Sequence, residues 1–387
     1  MSERCDIAIL GSTGSIGTSA LDVIDRLGER FRVTALAAGS NLRVISGQIE
    51  KYRPKMVSVR TKEDAAALRP AARKWGFRLS YGTEGAEEIA GRSPSGLVVS
   101  AITGLDGFRP TLAAVRAGKR VALANKESLV VGGPFLRREA ARTGAKIIPV
   151  DSEHSGVFQC LAKEKRSRVR RVILTASGGP FFRTPLRELK NKTVDEALCH
   201  PRWKMGKKVT VDSATLMNKG FELIEARWLF GLAPSRLDVL IHPQATVHSL
   251  VEMTDGSVLA QLSATDMRIP IQYALTYPDR AESPVPVLDL AAVGRLEFHD
   301  VEAERYPLFT LARAALEKGG SLPVALNAAN EVAVAAFLEK RIAFPDISRL
   351  VHLVMDEHRE TALDSVDTIF DIDAEARRAT RRFLEKR

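Results

Sequence analysis

Short apolar runs alternate with helix-like patterns over roughly the first 150 residues of the chain. Strands that alternate with helices in this way predict a parallel, doubly wound sheet of the Rossmann-like α/β class. The predicted strands are Asp6–Leu10, Phe31–Ala38, Met56–Val59, Arg78–Tyr81, Leu97–Ile102, Arg120–Leu123 and Lys146–Val150.

The pattern changes beyond Asp151 and predicts a central α+β domain with an open antiparallel sheet. A hairpin is expected where alternating runs flank Asp255-Gly256, a strong turn signal. The apolar alternation of that hairpin also offers a surface for a homodimer. The expected elements are a strand Val172–Ala176, an irregular stretch from Phe181 to about Lys208, an extended segment Val209–Asp212, a helix Ser213–Phe230 and the hairpin Asp238–Ser263.

The last part of the chain reads as a small helical bundle of about four helices after Pro307, with an acidic turn at Asp364–Asp373. Pro284 and Pro286 mark a linker before it. The predicted domains are 1–150 for a dinucleotide, 151–278 for catalysis, metal and dimer formation with a lid at about 180–208, a linker 279–302, and a helical domain 303–387.

Composition excludes several classes of protein. A chain of 387 residues is too long for one core, and its 45% hydrophobic and 27% charged residues are ordinary for a soluble protein. No apolar run approaches the roughly 18 residues that span a bilayer. The chain enters a strand pattern at once, without a secretory or transit segment, and three scattered cysteines fit a reducing compartment. We therefore expect a cytoplasmic protein that is not bound to a membrane.

The net charge of +10 calls for an anionic ligand or for solvated basic faces. The basic clusters Lys163–Arg171 and Arg377–Arg387 lack interleaved aromatic residues and any nucleic-acid-binding signature, so we interpret them as solvated faces. A general positive field suits phosphorylated small molecules better than nucleic acid.

Two short segments bring carboxylates together in patterns typical of metal ligands. Asp151-Ser152-Glu153 follows an apolar strand, and its two carboxylates would point to the same side of an extended segment. Asn218, Lys219 and Glu222 would share one face of a helix. If the two segments meet, three carboxylates offer the oxygen ligands that Mg²⁺ prefers. The alternative is an acidic helix start and an ordinary solvated glutamate.

A glycine-rich segment, Gly11-Ser12-Thr13-Gly14-Ser15-Ile16-Gly17, separates the first strand from a helix predicted from Ser15 to about Leu27. This context is typical of a loop that holds a pyrophosphate at a helix N-terminus. Its G-x-x-G-x-x-G spacing departs from the usual G-x-G-x-x-G, so a plain tight turn is the alternative. The next strand ends in Gly39-Ser40-Asn41 without a carboxylate, and Arg43 follows, which favours NADP over NAD.

Two further segments allow a functional and a structural interpretation. Asn125-Lys126-Glu127 follows a strand, at the edge where nicotinamide and substrate would meet, but Asn125 could equally be a helix N-cap. Trp203 and Met205 lie in the long irregular stretch. This stretch could form a lid over the nicotinamide, or Trp203 could pack in the core. His242 and His248, in strand-like context, are expected to be structural.

Seven segments together resemble 1-deoxy-D-xylulose 5-phosphate reductoisomerases, the NADPH-dependent enzymes of non-mevalonate isoprenoid biosynthesis. They occur in the order of that family and cover the first two-thirds of the chain, and Ser40 departs from the basic residue that relatives often carry. The segments are GSTGSIG at 11–17, ALANKESLV at 122–130, PVDSEHSGVFQCL at 149–161, TASGGPF at 175–181, HPRWKMG at 200–206, DSATLMNKGFELIEA at 212–226 and HPQATVHSLV at 242–251.

The resemblance implies a rearrangement of a C–C bond followed by hydride reduction, with NADPH and Mg²⁺ or Mn²⁺ as cofactors. It assigns a metal-binding role to Asp151, Glu153 and Glu222, which with Lys126 and His200 would be the catalytic residues. It assigns the substrate to Lys126, Ser152, Glu153, Ser177, His200, Trp203, Ser213, Asn218 and Lys219, and the cofactor to Thr13, Gly14, Ser15, Ile16, Gly39, Ser40, Asn41, Asn125, Glu127 and Gly206.

Two other functions remain open on the sequence. A metal-free NADP-dependent semialdehyde dehydrogenase would need a cysteine nucleophile, and of the three cysteines only Cys199, beside His200, has a base next to it. A basic nucleotide- or nucleic-acid-binding protein would leave the acidic segments unexplained.

Overall fold

The computed structural model describes residues 4–203 and 205–386. They form two compact units. The first unit contains the residues up to Leu129, then Gly133–Ser155 and Asp266–Val287. The second unit contains Val130–Gly132, Gly156–Thr265 and the residues from Leu288 onward. Lys204 of the predicted lid and Arg387 of the predicted basic cluster lie outside the described residues, as do residues 1–3.

The first unit is built on a seven-stranded parallel sheet in the order β4-β3-β2-β1-β5-β6-β7. The predicted Rossmann-like α/β fold is therefore confirmed, and the strand order reverses beside β1, where such folds bind ligands. Continuous apolar runs suit these strands because helices cover both faces of a parallel sheet. The strands are β1 (Cys5–Leu10), β2 (Phe31–Ala37), β3 (Met56–Val59), β4 (Arg78–Tyr81), β5 (Leu97–Ser100), β6 (Arg120–Leu123) and β7 (Lys146–Pro149).

Local sequence signals mark the ends of several helices of this α/β region. Thr61 caps one helix by accepting a hydrogen bond from the Asp64 N–H, and Gly28 follows the last residue of another, as predicted. The helices are α1 (Ser15–Leu27), α2 (Leu42–Tyr52), α3 (Lys62–Trp75), α4 (Gly82–Arg92), α5 (Phe108–Arg116), α6 (Lys126–Thr143) and α7 (Ser152–Cys160).

The second unit contains a four-stranded sheet in the order β11-β10-β8-β9. The predicted hairpin at Asp255-Gly256 joins β10 to β11. The prediction of a purely antiparallel sheet is wrong, because β9 pairs with β8 in parallel. The strands are β8 (Val169–Ala176), β9 (Leu237–Ile241), β10 (Val247–Met253) and β11 (Val258–Leu262).

Three helices correct the predictions between Phe181 and Phe230. α8 (Val194–Leu198) lies inside the stretch predicted to be irregular, and a capping box of Thr193 and Glu196 begins it. α9 (Lys207–Ala214) replaces the predicted extended segment, because burial of its last five residues overrides the β-branched Val209-Thr210-Val211 preference for strand. α10 (Met217–Phe230) begins later than predicted, since Leu216 before it has a left-handed φ of +60°.

α11 (Arg268–Thr276) belongs to the first unit, where the Arg120 guanidinium donates to the carbonyl oxygens of Leu275 and Tyr277. In the second unit, α12 (Leu290–Val293) is a single short turn, and four longer helices follow, as predicted. They are α13 (Pro307–Lys318), α14 (Leu322–Leu338), α15 (Phe344–Glu357) and α16 (Val366–Glu385).

The predicted acidic turn at Asp364–Asp373 is wrong, because most of it lies in α16. Ser365 caps this helix by accepting a hydrogen bond from the Thr368 N–H. Asp367 then lies in the first turn, where a carboxylate complements the helix dipole. Among the described residues, every helix is too short or too polar to traverse a bilayer.

Candidate active site

The predicted site residues divide between the two units, and each group is built on its own scaffold. In the first unit they follow the carboxyl ends of β1, β2, β6 and β7, which lie at one edge of the parallel sheet. The first unit holds Thr13, Gly14, Ser15, Ile16, Gly39, Ser40, Asn41, Asn125, Lys126, Glu127, Asp151, Ser152 and Glu153, and the second holds Ser177, His200, Trp203, Gly206, Ser213, Asn218, Lys219 and Glu222.

The glycine-rich loop between β1 and α1 is fixed by close packing at two of its glycines. Gly11 has a φ of +82°, and a Cβ there would meet the Ala101 carbonyl oxygen at 2.4 Å. A Cβ at Gly17 would meet the Gly11 carbonyl oxygen at 2.2 Å. Between them, Gly14 and Ser15 are exposed. The start of α1 carries neither a side-chain cap nor an acidic residue, so its N–H groups and dipole favour an anion.

The loop after β2 presents Gly39, Ser40 and Asn41, all exposed. The Asn41 side chain caps α2 by accepting a hydrogen bond from the Val44 N–H at 3.2 Å. The segment from Gly39 to Arg43 contains no carboxylate. A phosphate on a bound ribose would therefore meet no negative side chain from this loop.

Asn125 is a helix N-cap, so the structural interpretation of this residue is confirmed. Its Oδ1 accepts a hydrogen bond from the Ser128 N–H at 2.9 Å, which caps α6. Its Nδ2 donates to the Gly104 carbonyl oxygen and to Glu127 Oε2, both at 3.0 Å. These bonds fix the amide and the Glu127 carboxylate at the edge of the sheet, and a contact with the cofactor stays a prediction.

Asp151 lies between β7 and α7, and the prediction of an extended segment here is wrong. α7 begins at Ser152, and Asp151 Oδ1 accepts the Glu153 N–H at 3.2 Å, in the manner of a helix cap. The carboxylate is therefore turned back over the first turn of the helix. The acidic helix start weighed as the alternative describes the backbone correctly.

Charged and polar neighbours hold both carboxylates of this turn. Lys126 Nζ pairs with Asp151 Oδ2 at 2.9 Å, and both side chains are largely buried. The fully buried His154 places its Nδ1 3.4 Å from Asp151 Oδ1. Ser152 Oγ donates to Glu153 Oε2 at 2.6 Å. This part of the first unit therefore presents two oriented carboxylates beside one ammonium.

In the second unit, Ser177 and His200 form a polar pair. His200 Nδ1 accepts the Trp203 N–H at 2.9 Å, so the neutral ring carries its proton on Nε2 and donates to Ser177 Oγ at 2.9 Å. Burial lowers the pKa of His200 to about 4, which keeps it neutral. Ser177 Oγ also accepts the Gly179 N–H at 3.1 Å, so its own proton remains to be donated to a ligand.

The turn at Gly178-Gly179 brings Ser177 close to the end of α9. Gly179 has a φ of +70°, and a Cβ there would meet the Ser213 carbonyl oxygen at 2.6 Å. Only glycine permits this approach. Ser213 Oγ donates to the Val209 carbonyl oxygen at 3.0 Å, so the hydroxyl must turn away from that bond to donate to a ligand.

The predicted face of α10 is confirmed at the level of contacts. Asn218 Nδ2 donates to Glu222 Oε1, and Lys219 Nζ pairs with Glu222 Oε2, both at 2.5 Å. The burial was not foreseen. Lys219 is 3% exposed and Glu222 is 1% exposed, so a charged pair lies inside the second unit. The interpretation of Glu222 as an ordinary solvated glutamate is wrong.

The Trp203 side chain is half-buried, and its ring lies 6.2 Å from the ring of His248. This contact leaves both interpretations of Trp203, as a lid residue and as a packing residue, in place. Gly206, predicted to contact the cofactor, is the N-cap of α9 and is exposed. Met205 beside it is partly buried.

A second buried polar group was missed by the sequence analysis. Asp212 is 1% exposed, and Asn330 Nδ2 from α14 donates to its Oδ1 at 2.8 Å. The signal was present in the sequence, because Asn327 and Asn330, together with Glu331, interrupt the apolar residues of LNAANEVAVAAF.

The surroundings of the three cysteines differ from those of a catalytic nucleophile. Burial raises the pKa of the Cys160 thiol to about 11, and it raises the pKa of Cys5 as well, so both thiols stay protonated. Cys199 is exposed at the end of α8. The neighbouring His200 gives its Nε2 to Ser177 and its Nδ1 to backbone N–H groups, so it does not serve as a base for Cys199.

Family models match three parts of the chain. The model for 1-deoxy-D-xylulose 5-phosphate reductoisomerase matches residues 7–133, and the model for its C-terminal domain matches residues 147–230. A model for the DXP reductoisomerase C-terminal domain matches residues 262–379. A relative from Chlorobium chlorochromatii, named 1-deoxy-D-xylulose 5-phosphate reductoisomerase, is 48% identical over 378 residues, which cover 98% of this chain and 99% of the relative.

Two solved structures resemble the chain over nearly its whole length. The first is the reductoisomerase from Zymomonas mobilis in complex with NADPH, with a TM-score of 0.93, 40% identity and coverage of 99% of this chain and 100% of that chain. The second is a DOX-P reductoisomerase in complex with NADPH, fosmidomycin and magnesium, with a TM-score of 0.94, 38% identity and 98% coverage of each chain.

Proposed function

The chain belongs to the 1-deoxy-D-xylulose 5-phosphate reductoisomerase family, and from this premise we propose that it converts 1-deoxy-D-xylulose 5-phosphate to 2-C-methyl-D-erythritol 4-phosphate. The reaction breaks and re-forms a C–C bond and then reduces the resulting aldehyde. The observation that carries the proposal is the set of contacts made by the predicted catalytic carboxylates. Asp151 and Glu222 are each paired with an ammonium group, and Glu153 is oriented by a hydroxyl.

NADPH is the proposed reductant, and bound NADPH would supply the hydride. The residues of the first unit fit it, because the uncapped start of α1 suits a pyrophosphate and the loop after β2 offers no carboxylate to a 2′-phosphate. We assign the cofactor to the residues at the sheet edge and to Gly206. They are Thr13, Gly14, Ser15, Ile16, Gly39, Ser40, Asn41, Asn125, Glu127 and Gly206.

A divalent cation is the second proposed cofactor, with Asp151, Glu153 and Glu222 as its ligands. The donor set fits Mg²⁺ or Mn²⁺, because it consists of carboxylate oxygens and leaves positions for substrate oxygens. A bound cation would act as a Lewis acid on the substrate ketone and the neighbouring hydroxyl. Lys126 pairs with Asp151 and Lys219 pairs with Glu222, so each of these two ligands already has a cation beside it.

The substrate phosphate is assigned to the second unit. Ser177 and Ser213 offer hydroxyls, Asn218 an amide and Lys219 an ammonium, which is a suitable set of donors for a phosphate. The close approach of Gly179 to the Ser213 carbonyl oxygen and the hydrogen bond from the Gly179 N–H to Ser177 Oγ support this assignment. His200 sets the direction of the Ser177 hydroxyl by donating to its oxygen.

The remaining roles concern the carbon chain of the substrate. We propose that Lys126 and Ser152 contact the substrate hydroxyls, with the Lys126 ammonium stabilising negative charge on oxygen. Trp203 would cover the substrate and exclude water from the reactive aldehyde. We also propose that 1–150 is the NADPH-binding domain, 151–278 the catalytic and dimer-forming domain, 279–302 a linker and 303–387 a helical domain. A cytoplasmic homodimer is the expected form.

The test is the loss of NADPH absorbance with 1-deoxy-D-xylulose 5-phosphate, with and without Mg²⁺ or Mn²⁺. We expect turnover that excess chelator abolishes and added cation restores. Turnover that persists in chelator would favour the semialdehyde dehydrogenase alternative. Salt-sensitive nucleic-acid binding without any NADPH oxidation would favour a basic binding protein instead.

A further inference from the structure

A buried polar network connects α14 to α9 inside the second unit. Asn330 is fully buried in α14, and its Nδ2 donates to Asp212 Oδ1 at 2.8 Å. Lys208, one turn before Asp212 on α9, pairs with Asp212 Oδ2 at 2.9 Å. The Asp212 carboxylate is 1% exposed, so both oxygens depend on these partners.

The direction of the Asn330 amide follows from the charge of its partner. Asp212 forms an ion pair with Lys208, and the carboxylate of such a pair only accepts hydrogen bonds. The Asn330 nitrogen must therefore face it. The Asn330 Oδ1 then points into a buried position where the described residues offer it no hydrogen-bond donor.

This arrangement is costly for a residue that only fills the core. Apart from Asn327 and Pro323, the other buried positions of α14 are alanine, valine, leucine and phenylalanine. An apolar pair in place of a buried polar one is often neutral or stabilising. Core packing alone therefore does not explain why the Asn330 amide bonds a buried carboxylate on another helix.

The network lies next to a residue of the proposed phosphate site. Asp212 immediately precedes Ser213, and its own carbonyl oxygen accepts the Thr215 hydroxyl at 3.2 Å, where α9 ends. The Ser213 carbonyl oxygen packs closely against Gly179. Near its end, α9 is thus contacted both by Asn330 and by the Gly179 turn.

We propose that Asn330 is a positioning residue for binding of the substrate phosphate, and this rests on the proposed function. Asn330 holds Asp212 through its amide, and Asp212 sets the place of the Ser213 hydroxyl relative to Ser177. Asn330 itself touches neither substrate nor cofactor. Loss of its amide should therefore weaken phosphate binding without changing the affinity for NADPH.

Asn327 provides a matched control on the same helix. It is fully buried, as is Asn330, and its Oδ1 likewise has no donor among the described residues. Its Nδ2 donates to Glu331 of its own helix at 3.2 Å and not to α9. Asn327→Ala and Asn330→Ala thus remove the same atoms at equal burial, and only the second releases Asp212.

The experiment measures steady-state kinetics of the full chain and, separately, binding of inorganic phosphate by calorimetry. Asn330→Ala should raise the KM for 1-deoxy-D-xylulose 5-phosphate and the Kd for inorganic phosphate by about tenfold, with the KM for NADPH unchanged. Asn327→Ala should leave all three close to wild type. Equal changes in the two variants would overturn the role of Asn330.

An exchange of the two groups gives a test that does not depend on the alanine variant folding. Asn330→Asp places a second carboxylate beside that of Asp212, and their repulsion should weaken phosphate binding more than Asn330→Ala does. The double variant D212N/N330D restores one amide and one carboxylate with their sides exchanged, and it should recover most of the phosphate affinity. No recovery in a folded double variant would contradict the proposal.

The outcomes separate this inference from the proposed function. A wild-type chain that fails to oxidise NADPH with 1-deoxy-D-xylulose 5-phosphate refutes the proposed function. Wild-type turnover with identical behaviour of Asn330→Ala and Asn327→Ala refutes only the positioning role.

Discussion

The buried pair of Lys219 and Glu222 offers a direct test of how the second unit holds its part of the site. The two side chains are 3% and 1% exposed, and the Nζ and Oε2 atoms lie 2.5 Å apart. At that distance and an effective dielectric constant of about 20, their attraction is about 7 kcal/mol. Most of it offsets the cost of removing both charges from water.

Removal of one partner should destabilise the protein, because the other buried charge then loses the attraction of this pair. Lys219→Met or Glu222→Gln should each destabilise the protein by about 3–5 kcal/mol. Lys219→Met should lie near 3 kcal/mol, since the Asn218 amide still donates to Glu222. The double variant removes both charges together. Its loss of unfolding free energy should therefore be smaller than the sum of the two single-variant losses by at least about 2 kcal/mol.

The assay is urea unfolding of the metal-free protein, followed by circular dichroism, for the wild type, the two single variants and the double variant. Arg341→Met is the control, because it breaks an exposed pair with Glu339 and should leave the unfolding midpoint unchanged. Single variants that unfold at the wild-type midpoint would show that the pair is not a buried one, and the reasoning would be wrong.

Two further predictions concern the Ser177 region. Gly179→Ala should raise the KM for the phosphorylated substrate, because the new Cβ would meet the Ser213 carbonyl oxygen. The control is Gly256→Ala, because Gly256 has a similar φ but open space around it. Equal kinetic effects would assign the change to backbone strain alone. Burial lowers the pKa of His200 to about 4, so the unfolded chain binds its proton more tightly. Stability should therefore be complete above about pH 6.5 and fall towards pH 4, and His200→Asn should flatten that slope in urea unfolding midpoints.

The fold of the first unit was predictable because its signals are local and agree with one another. Most strands of the parallel sheet are short apolar runs, and glycine turns and caps mark several of the helices that follow. The segment from Val209 to Asp212 was predicted wrongly, since β-branched residues favour a strand while burial in the second unit makes it a helix. The parallel pairing of β9 with β8 carries no local signal, because register between distant strands depends on tertiary packing.

The candidate site was predictable in its residue types but not in its local geometry. The helical spacing of Asn218, Lys219 and Glu222 gave their contacts, because i,i+3 and i,i+4 neighbours follow from the helix itself. The same spacing says nothing about burial. The orientation of Asp151 could not be predicted from strand alternation, since the first turn of α7 captures it. Asn330 was missed because its partner Asp212 is 118 residues away.

The central claim is that Asp151, Glu153 and Glu222 bind one divalent cation. Titration of Mn²⁺ into the purified chain, followed by electron paramagnetic resonance, tests it without reference to turnover. We predict one Mn²⁺ per chain, with affinity reduced at least about tenfold in each of Asp151→Asn, Glu153→Gln and Glu222→Gln. Wild-type Mn²⁺ affinity in folded Glu222→Gln would contradict the account.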